Sequence, residues 1–308
     1  MFANTCAGLA TGQTVPAASG GAKSPLERAI DQSTKGRCAE ALPVLKKSAA
    51  GATNKELKYR GLIATVRCGL NRKEDQTSVN ALLELKRDFP EDPQVLYMTS
   101  QVFLEIAERA SQELATSAPE SYQAKELQAE AFESQEKWAD ATKVYRKILE
   151  ENPKLRGIHY RLARAALSQP DLPNATEEAK REFALELTID PYNSAAEFWL
   201  GELARREGQW DDAIAHFSAA GKIDPTFGDA VLSLGTALNS AGRYADAIPH
   251  LEQYIKIAPA DPAGHYQLAM AYARTNRRDD SVRELTLQRQ LAEKQQAATD
   301  ARSSASPH

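Results

Sequence analysis

The chain has 308 residues, 42% of them hydrophobic and 26% charged, with a formal net charge of −4. That apolar content suffices to bury a core, which excludes global disorder. The mild acidity leaves no electrostatic footprint for nucleic acid or an anionic lipid surface, and no stretch approaches the ~18 consecutive apolar residues of a membrane span. Three cysteines without a Cys-x-x-Cys pair exclude a dense disulfide scaffold and offer no structural zinc motif.

From the N-terminus, residues 1–21 carry no charged side chain and are rich in Ala, Gly and Thr, which reads as a flexible leader. The basic n-region and the apolar core of roughly 7–15 residues that mark an intact secretory signal are missing. A trimmed signal and an ordinary start both fit, and no apolar stretch precedes Cys6 as a lipoprotein would require. Ala29, Gly36, Ala41 and Leu45 then keep the intervals of a helix pair over Ala22 to Thr53. Gly61, Leu83 and Pro90 suggest a second pair, with a loop near Asn71 to Gln76, and Pro93 to Ser121 reads as a shortened one. These intervals become strict further on. Tyr122 to Leu155 carries Ala129, Phe132, Ala141, Tyr145 and Pro153. Arg156 to Asn193 carries Leu162-Ala163, Ala179, Phe183 and Pro191, with four extra residues placed in a longer turn at Gln169 to Asn174.

From Ser194 the period is 34 residues. Leu200-Gly201 falls on Leu234-Gly235 and Leu268-Ala269, Gly208 on Gly242 and Asn276, and Ala213 on Ala247 and Ser281. Phe217 falls on Leu251 and Leu285, and Pro191 on Pro225 and Pro259. A fixed period of this size means a solenoid whose units contact mainly their neighbours. Within one period, Ser194 to Arg206 and Asp211 to Ile223 each carry apolar residues at helical spacing. Gly208 breaks the first helix and Asp224-Pro225 ends the second. Gly201, Gly235, Ala213 and Ala247 sit where two antiparallel helices must approach closely, and proline after the second helix stops it. Glu284 to Ala301 prolongs the last helix with a polar run, which gives the stack a soluble end, and Arg302 to His308 should fray.

The Leu-Gly pair, the alanine twelve residues after that Gly, the aromatic four beyond it and the closing proline resemble the tetratricopeptide repeat family. The resemblance is closest over Ser194 to Asp261, fainter over Pro262 to Gln295, and extends with more departures back to residue 22. It implies an all-α, right-handed superhelical solenoid of antiparallel helix pairs. The expected division is a leader (1–21), degenerate helical repeats (22–121), well-formed repeats (122–295) and a polar tail (296–308). It also implies that Cys38, early in one second helix, lies beside Cys68, late in the next first helix. A disulfide and two small buried hydrophobes are both compatible with that placement. The bridge would imply an oxidising compartment, periplasmic or secreted, against a cytoplasmic alternative.

Candidate chemistry is sparse. His216 and His250 are one period apart, which repeat register explains without a metal, while His159, His265 and His308 lie elsewhere. Asp211, Asp212, Asp246, Asp279 and Asp280 fall at starts of second helices, where they are expected to offset the helix dipole and cap free amides. No Gly-rich phosphate loop, Gly-x-Ser-x-Gly elbow or His-Glu-x-x-His motif occurs. Neither an enzyme, a cofactor nor a metal is expected. In the family the first helices line the concave face, and on them the phase picks out Tyr160, Phe198, Leu232 and Tyr266, with Tyr97 beginning the row. One turn on come Arg164, Glu202, Thr236 and Met270, then Arg205, Asn239, Arg206 and Arg274. An apolar ladder with mixed charges suits an extended or helical peptide. The alternative reading of these aromatics is packing against the neighbouring unit. The family's carboxylate clamp is not reproduced, because Phe198, Glu202, Leu232 and Thr236 occupy the corresponding places. The expected function is a non-catalytic scaffold or adaptor for partner protein or peptide segments, without nucleic acid or membrane insertion. The rival is a solenoid that self-associates into an oligomer or filament.

Overall fold

The structure is a computed structural model that describes residues 23–169 and 173–305, with side chains through 301. The leader with Cys6, residues 170–172 of the turn expected at Gln169 to Asn174, and residues 306–308 lie outside the described residues. The chain divides at Thr116–Ser117 into two compact units. The first holds α1 (Pro25–Thr34), α2 (Cys38–Ser48), α3 (Lys55–Asn71), α4 (Asp75–Asp88) and α5 (Pro93–Ser117, reaching the division). The second holds α6 (Tyr122–Ser134), α7 (Trp138–Glu151), α8 (Ile158–Leu167), α9 (Ala175–Ile189), α10 (Ser194–Arg206), α11 (Trp210–Ile223), α12 (Gly228–Ser240), α13 (Tyr244–Ile257), α14 (Pro262–Arg274) and α15 (Arg278–Ala305). No strand occurs among the described residues. The fold class is all-α, a repeat solenoid of antiparallel helix pairs.

Close packing within each pair follows from the glycine phase. A Cβ on Gly201 would stand 2.7 Å from the Phe217 ring, and one on Gly235 would stand 2.5 Å from Leu251. The large residue of the second helix therefore fills the space left by the missing side chain of the first. Phe217 and Leu251 are fully buried, as are Ala213 and Ala247 beside them. The serine that replaces this alanine in the last pair is spent on a hydrogen bond, Ser281 Oγ donating to the Ala269 carbonyl at 2.9 Å. Ser78 Oγ donates in the same way to the Val66 carbonyl at 3.0 Å, so α3–α4 keeps the phase of the later repeats although its sequence has drifted.

The turn between paired helices needs one residue in the left-handed region. Gly208 (φ 73°) and Gly242 (φ 76°) supply it, and Lys73, Glu136 and Asn276 occupy the same place at φ 56–62°. Several first helices are capped by side chains. Ser24 forms a capping box with Glu27, and Asn54, Ser121, Asn193 and Asp261 each accept a backbone N–H. Second helices are different. The residues before α11 and α13, Gln209 and Arg243, make no capping bond. The aspartates that follow do not cap amides as expected; Asp246 holds Arg243 at 3.0 Å and Asp280 holds Arg277 at 2.6 Å, leaving only the dipole role.

Two further differences from the sequence reading concern the ends of units. Pro93 to Ser117 is one unbroken helix of 25 residues, not a short pair. The C-terminal helix α15 continues to Ala305, past the point where fraying was expected. No helix among the described residues is long and apolar enough to cross a membrane.

Candidate peptide-binding row

The second unit presents its first helices α6, α8, α10, α12 and α14 at repeat intervals, and each carries one residue of the row three positions before its mid-helix small residue. Tyr160 on α8 is half-buried, its ring 5.7 Å from Phe183. Phe198 on α10 is also half-buried and touches three rings, Trp199, Phe217 and Phe227, the last at 5.1 Å. Leu232 on α12 packs partly against the same cluster. Tyr266 on α14 is 48% exposed. The row is thus graded, with Phe198 more than half committed to the core and Tyr266 open. Some members thus pack against neighbouring rings and others are exposed.

The polar residues also separate. Arg164 and Arg206 are exposed and form no ion pair among the described residues. Arg274 is exposed, with its guanidinium 5.7 Å from the Tyr244 ring. Glu202 and Arg205 are bound to each other at 2.8 Å, and the carboxylate beside Arg205 pushes its pKa further up. Asn239 is not on the open surface. It is 5% exposed, and its Nδ2 donates to the Gln267 backbone carbonyl at 3.0 Å and to Gln267 Oε1 at 3.1 Å, tying α12 to α14. Tyr97 is two-thirds exposed on α5, in the other unit.

One part of the row was not picked out from the sequence. Stepping 34 residues back from Tyr160 and Arg164 reaches Glu126 and Glu130 on α6, and Arg161 pairs with both, at 3.3 and 2.8 Å. The interval alone was the available signal; the change from aromatic to acidic side chain hid it. The row therefore starts acidic on α6, is apolar in its centre and carries arginines towards α14.

The histidines are used inside repeats. His159 Nδ1 lies 2.7 Å from Glu182 and His265 Nδ1 lies 2.7 Å from Glu284; the other ring nitrogens face the Pro153 and Pro259 carbonyls. His216 is 2.7 Å from Glu197. Burial lowers the pKa of His250. Among the described residues no group of three or more His, Cys, Asp or Glu side chains could hold a metal ion.

One tetratricopeptide repeat model matches residues 101–156, 135–193, 160–226 and 200–262, and a second matches 238–303. The chain belongs to the tetratricopeptide repeat family. The family matches span the candidate row from α8 to α14 and the two helix pairs with the strictest 34-residue phase. No curated protein matches the chain. Among solved structures it is similar to YrrB, described as a TPR protein with an unusual peptide-binding site, at 18% identity and a TM-score of 0.52, over 63% of this chain and 98% of that one. It is also similar to MamA, at 20% identity and a TM-score of 0.50 over 55% of this chain and 96% of that one. A MamA fragment from Desulfovibrio magneticus aligns at 15% identity and a TM-score of 0.50, over 56% and 96%. At such identities the likeness is one of fold.

Proposed function

We propose that this protein is a non-catalytic adaptor whose second unit holds an extended or helical segment of a partner protein along the first helices α8 to α14. The observation that supports this most is the row itself. Tyr160, Phe198, Leu232 and Tyr266 recur at repeat spacing, and Arg164, Arg206 and Arg274 stand exposed beside them with no carboxylate bound among the described residues. An apolar ladder with unspent guanidinium groups favours a ligand with apolar side chains at intervals and carboxylates between them. The helices are already ordered by their repeat packing, so the receptor bears little ordering cost on binding. YrrB, with its peptide-binding site, shares the fold and adds weight to the reading. The Cys38–Cys68 bridge, with Cα atoms 5.0 Å apart, favours an oxidising compartment and hence a periplasmic or secreted setting.

The test is to select binding peptides from a random displayed library against the full chain. Titrations with the best peptide then compare wild type with Tyr160→Ala/Tyr266→Ala and with Arg206→Glu/Arg274→Glu. Tyr266, Arg206 and Arg274 are exposed, and because Tyr160 is half-buried against Phe183, the tyrosine pair is read against Tyr266→Ala alone, with helical content and melting checked for each protein. Affinity should fall at least tenfold in each pair of substitutions. Equal affinity in all three proteins would remove the row from the account.

A further inference from the structure

The overall charge of −4 conceals a strongly basic stretch. Residues 35–73 carry ten Lys or Arg side chains and only two Glu, and they build α2, α3 and the turns next to them, all within the first unit. The carboxylates around α2 are already engaged. Glu40 accepts from Gln32 at 3.2 Å, Glu74 holds Lys46 at 3.0 Å, and Asp75 holds Arg109 at 2.9 Å. Arg37, Lys47, Arg72 and Lys73 are exposed and form no ion pair among the described residues.

Part of this charge surrounds a cavity. Ala39, Leu42, Pro43, Lys46 and Lys47 follow the i, i+3, i+4, i+7, i+8 spacing of one helix face. With Arg72 and Glu74 across from them they enclose about 410 Å³, a size that suits a small molecule. The disulfide sets the opposite wall. It fixes the start of α2 against the last turn of α3, with Cα atoms 5.0 Å apart, and the Arg72 N–H donates to the Cys68 carbonyl at 3.1 Å.

Two features define the ligand. Lys46, Lys47 and Arg72 against the single carboxylate of Glu74 leave two positive charges on the wall. That matches a phosphomonoester, which carries about −1.5 to −2 at neutral pH, and exceeds what one carboxylate neutralises. Pro43 has no N–H, so the Ala39 carbonyl one turn before it lacks its helical hydrogen bond on the cavity side, where a ligand hydroxyl can donate. We infer that this cavity binds a phosphomonoester on a hydroxyl-bearing body, either as a free molecule or as a lipid headgroup. The site shares no residue with the candidate row and is tested apart from peptide binding.

The experiment uses the full chain in two arms. Titration calorimetry takes inositol monophosphate as the probe, with inositol and inorganic phosphate as its fragments. Vesicle flotation takes phosphatidylcholine doped with phosphatidylinositol monophosphate, against phosphatidylglycerol at equal charge. The phosphorylated inositol should bind saturably in at least one arm, and at least tenfold more tightly than its comparison probes. Binding in solution identifies a free ligand, and binding on vesicles alone identifies a lipid headgroup. Lys47→Glu/Arg72→Glu and the cavity-filling Ala39→Trp alter exposed positions. Each should weaken binding at least tenfold with unchanged circular dichroism, while Arg206→Glu/Arg274→Glu in the row should leave it as it was. Absence of saturable binding in both arms overturns the proposal, as does binding that survives Ala39→Trp. Equal affinity for the comparison probes would mean diffuse attraction to the basic stretch and overturn it equally.

Discussion

At the residue scale the repeat rests on small choices with large steric consequences. Gly242 takes a left-handed backbone that L side chains adopt at a cost of roughly 1–2 kcal/mol. Gly242→Ala should therefore lower unfolding free energy by about 1 kcal/mol in urea denaturation. The converse, Glu136→Gly at the equivalent turn, should leave stability unchanged or raise it by a few tenths. Buried tyrosines supply a pH dependence. Burial and the Glu252 carboxylate raise the Tyr272 pKa to about 12, and burial raises those of Tyr145 and Tyr254 as well. The unfolded chain releases the Tyr272 proton near pH 10 and the folded chain holds it to about 12. Stability is therefore full below pH 10 and falls as pH rises through that window, for Tyr272 by on the order of 2–3 kcal/mol. Urea midpoints measured at pH 9 and 11 should differ, and Tyr272→Phe should reduce the difference.

At the element scale α8 shows how one repeat borrows its cap from its own second helix. Gly157 precedes α8 in a left-handed conformation and has no side chain to cap with. Glu186 of α9 is fully buried and does this instead, accepting from the Gly157 N–H at 2.7 Å and the Tyr160 N–H at 3.3 Å. Its negative charge also sits at the positive end of the α8 dipole. Glu186→Ala leaves two amides unmet in the interior and should cost about 2–3 kcal/mol, with Glu186→Gln recovering part of it by thermal melting. This device was not legible in the sequence, because Ala220 and Tyr254 occupy the positions one and two periods later and no pattern marks Glu186 out. The helix boundaries were legible. Ser194 to Arg206 is the observed α10, and the second helix ends at Ile223 as expected, because Gly208 and Asp224-Pro225 are local signals that tertiary packing does not override. Asn239 shows the opposite case. Its phase set it in the row, but phase says which side of a helix a residue occupies and not how closely the next helix approaches there. The correspondence of the His159–Glu182 and His265–Glu284 pairs was hidden by the four-residue insertion, which lengthens the first separation to 23 against 19 in the second.

At the scale of the whole molecule, two compact units carry different equipment. The first holds the disulfide and the basic cavity beside α2; the second holds the candidate row. The bridge closes a loop of 30 residues between α2 and α3, and loop-closure entropy makes it worth about 3–4 kcal/mol to the first unit. Cys38→Ser/Cys68→Ser should thus lower the melting of the first unit. Amide exchange in α1 to α4 should speed up, while α10 to α13 remain as protected as before.

The central claim, that a partner segment lies along the first helices of the second unit, is tested most directly by placing photo-cross-linkers on the surface. A benzophenone side chain at Leu232 or Tyr266 should capture the selected peptide on illumination. The same group at Leu185 on α9 or Ile257 on α13, exposed positions on second helices, should not. Capture at Leu185 or Ile257 with none at Leu232 and Tyr266 would contradict the claim.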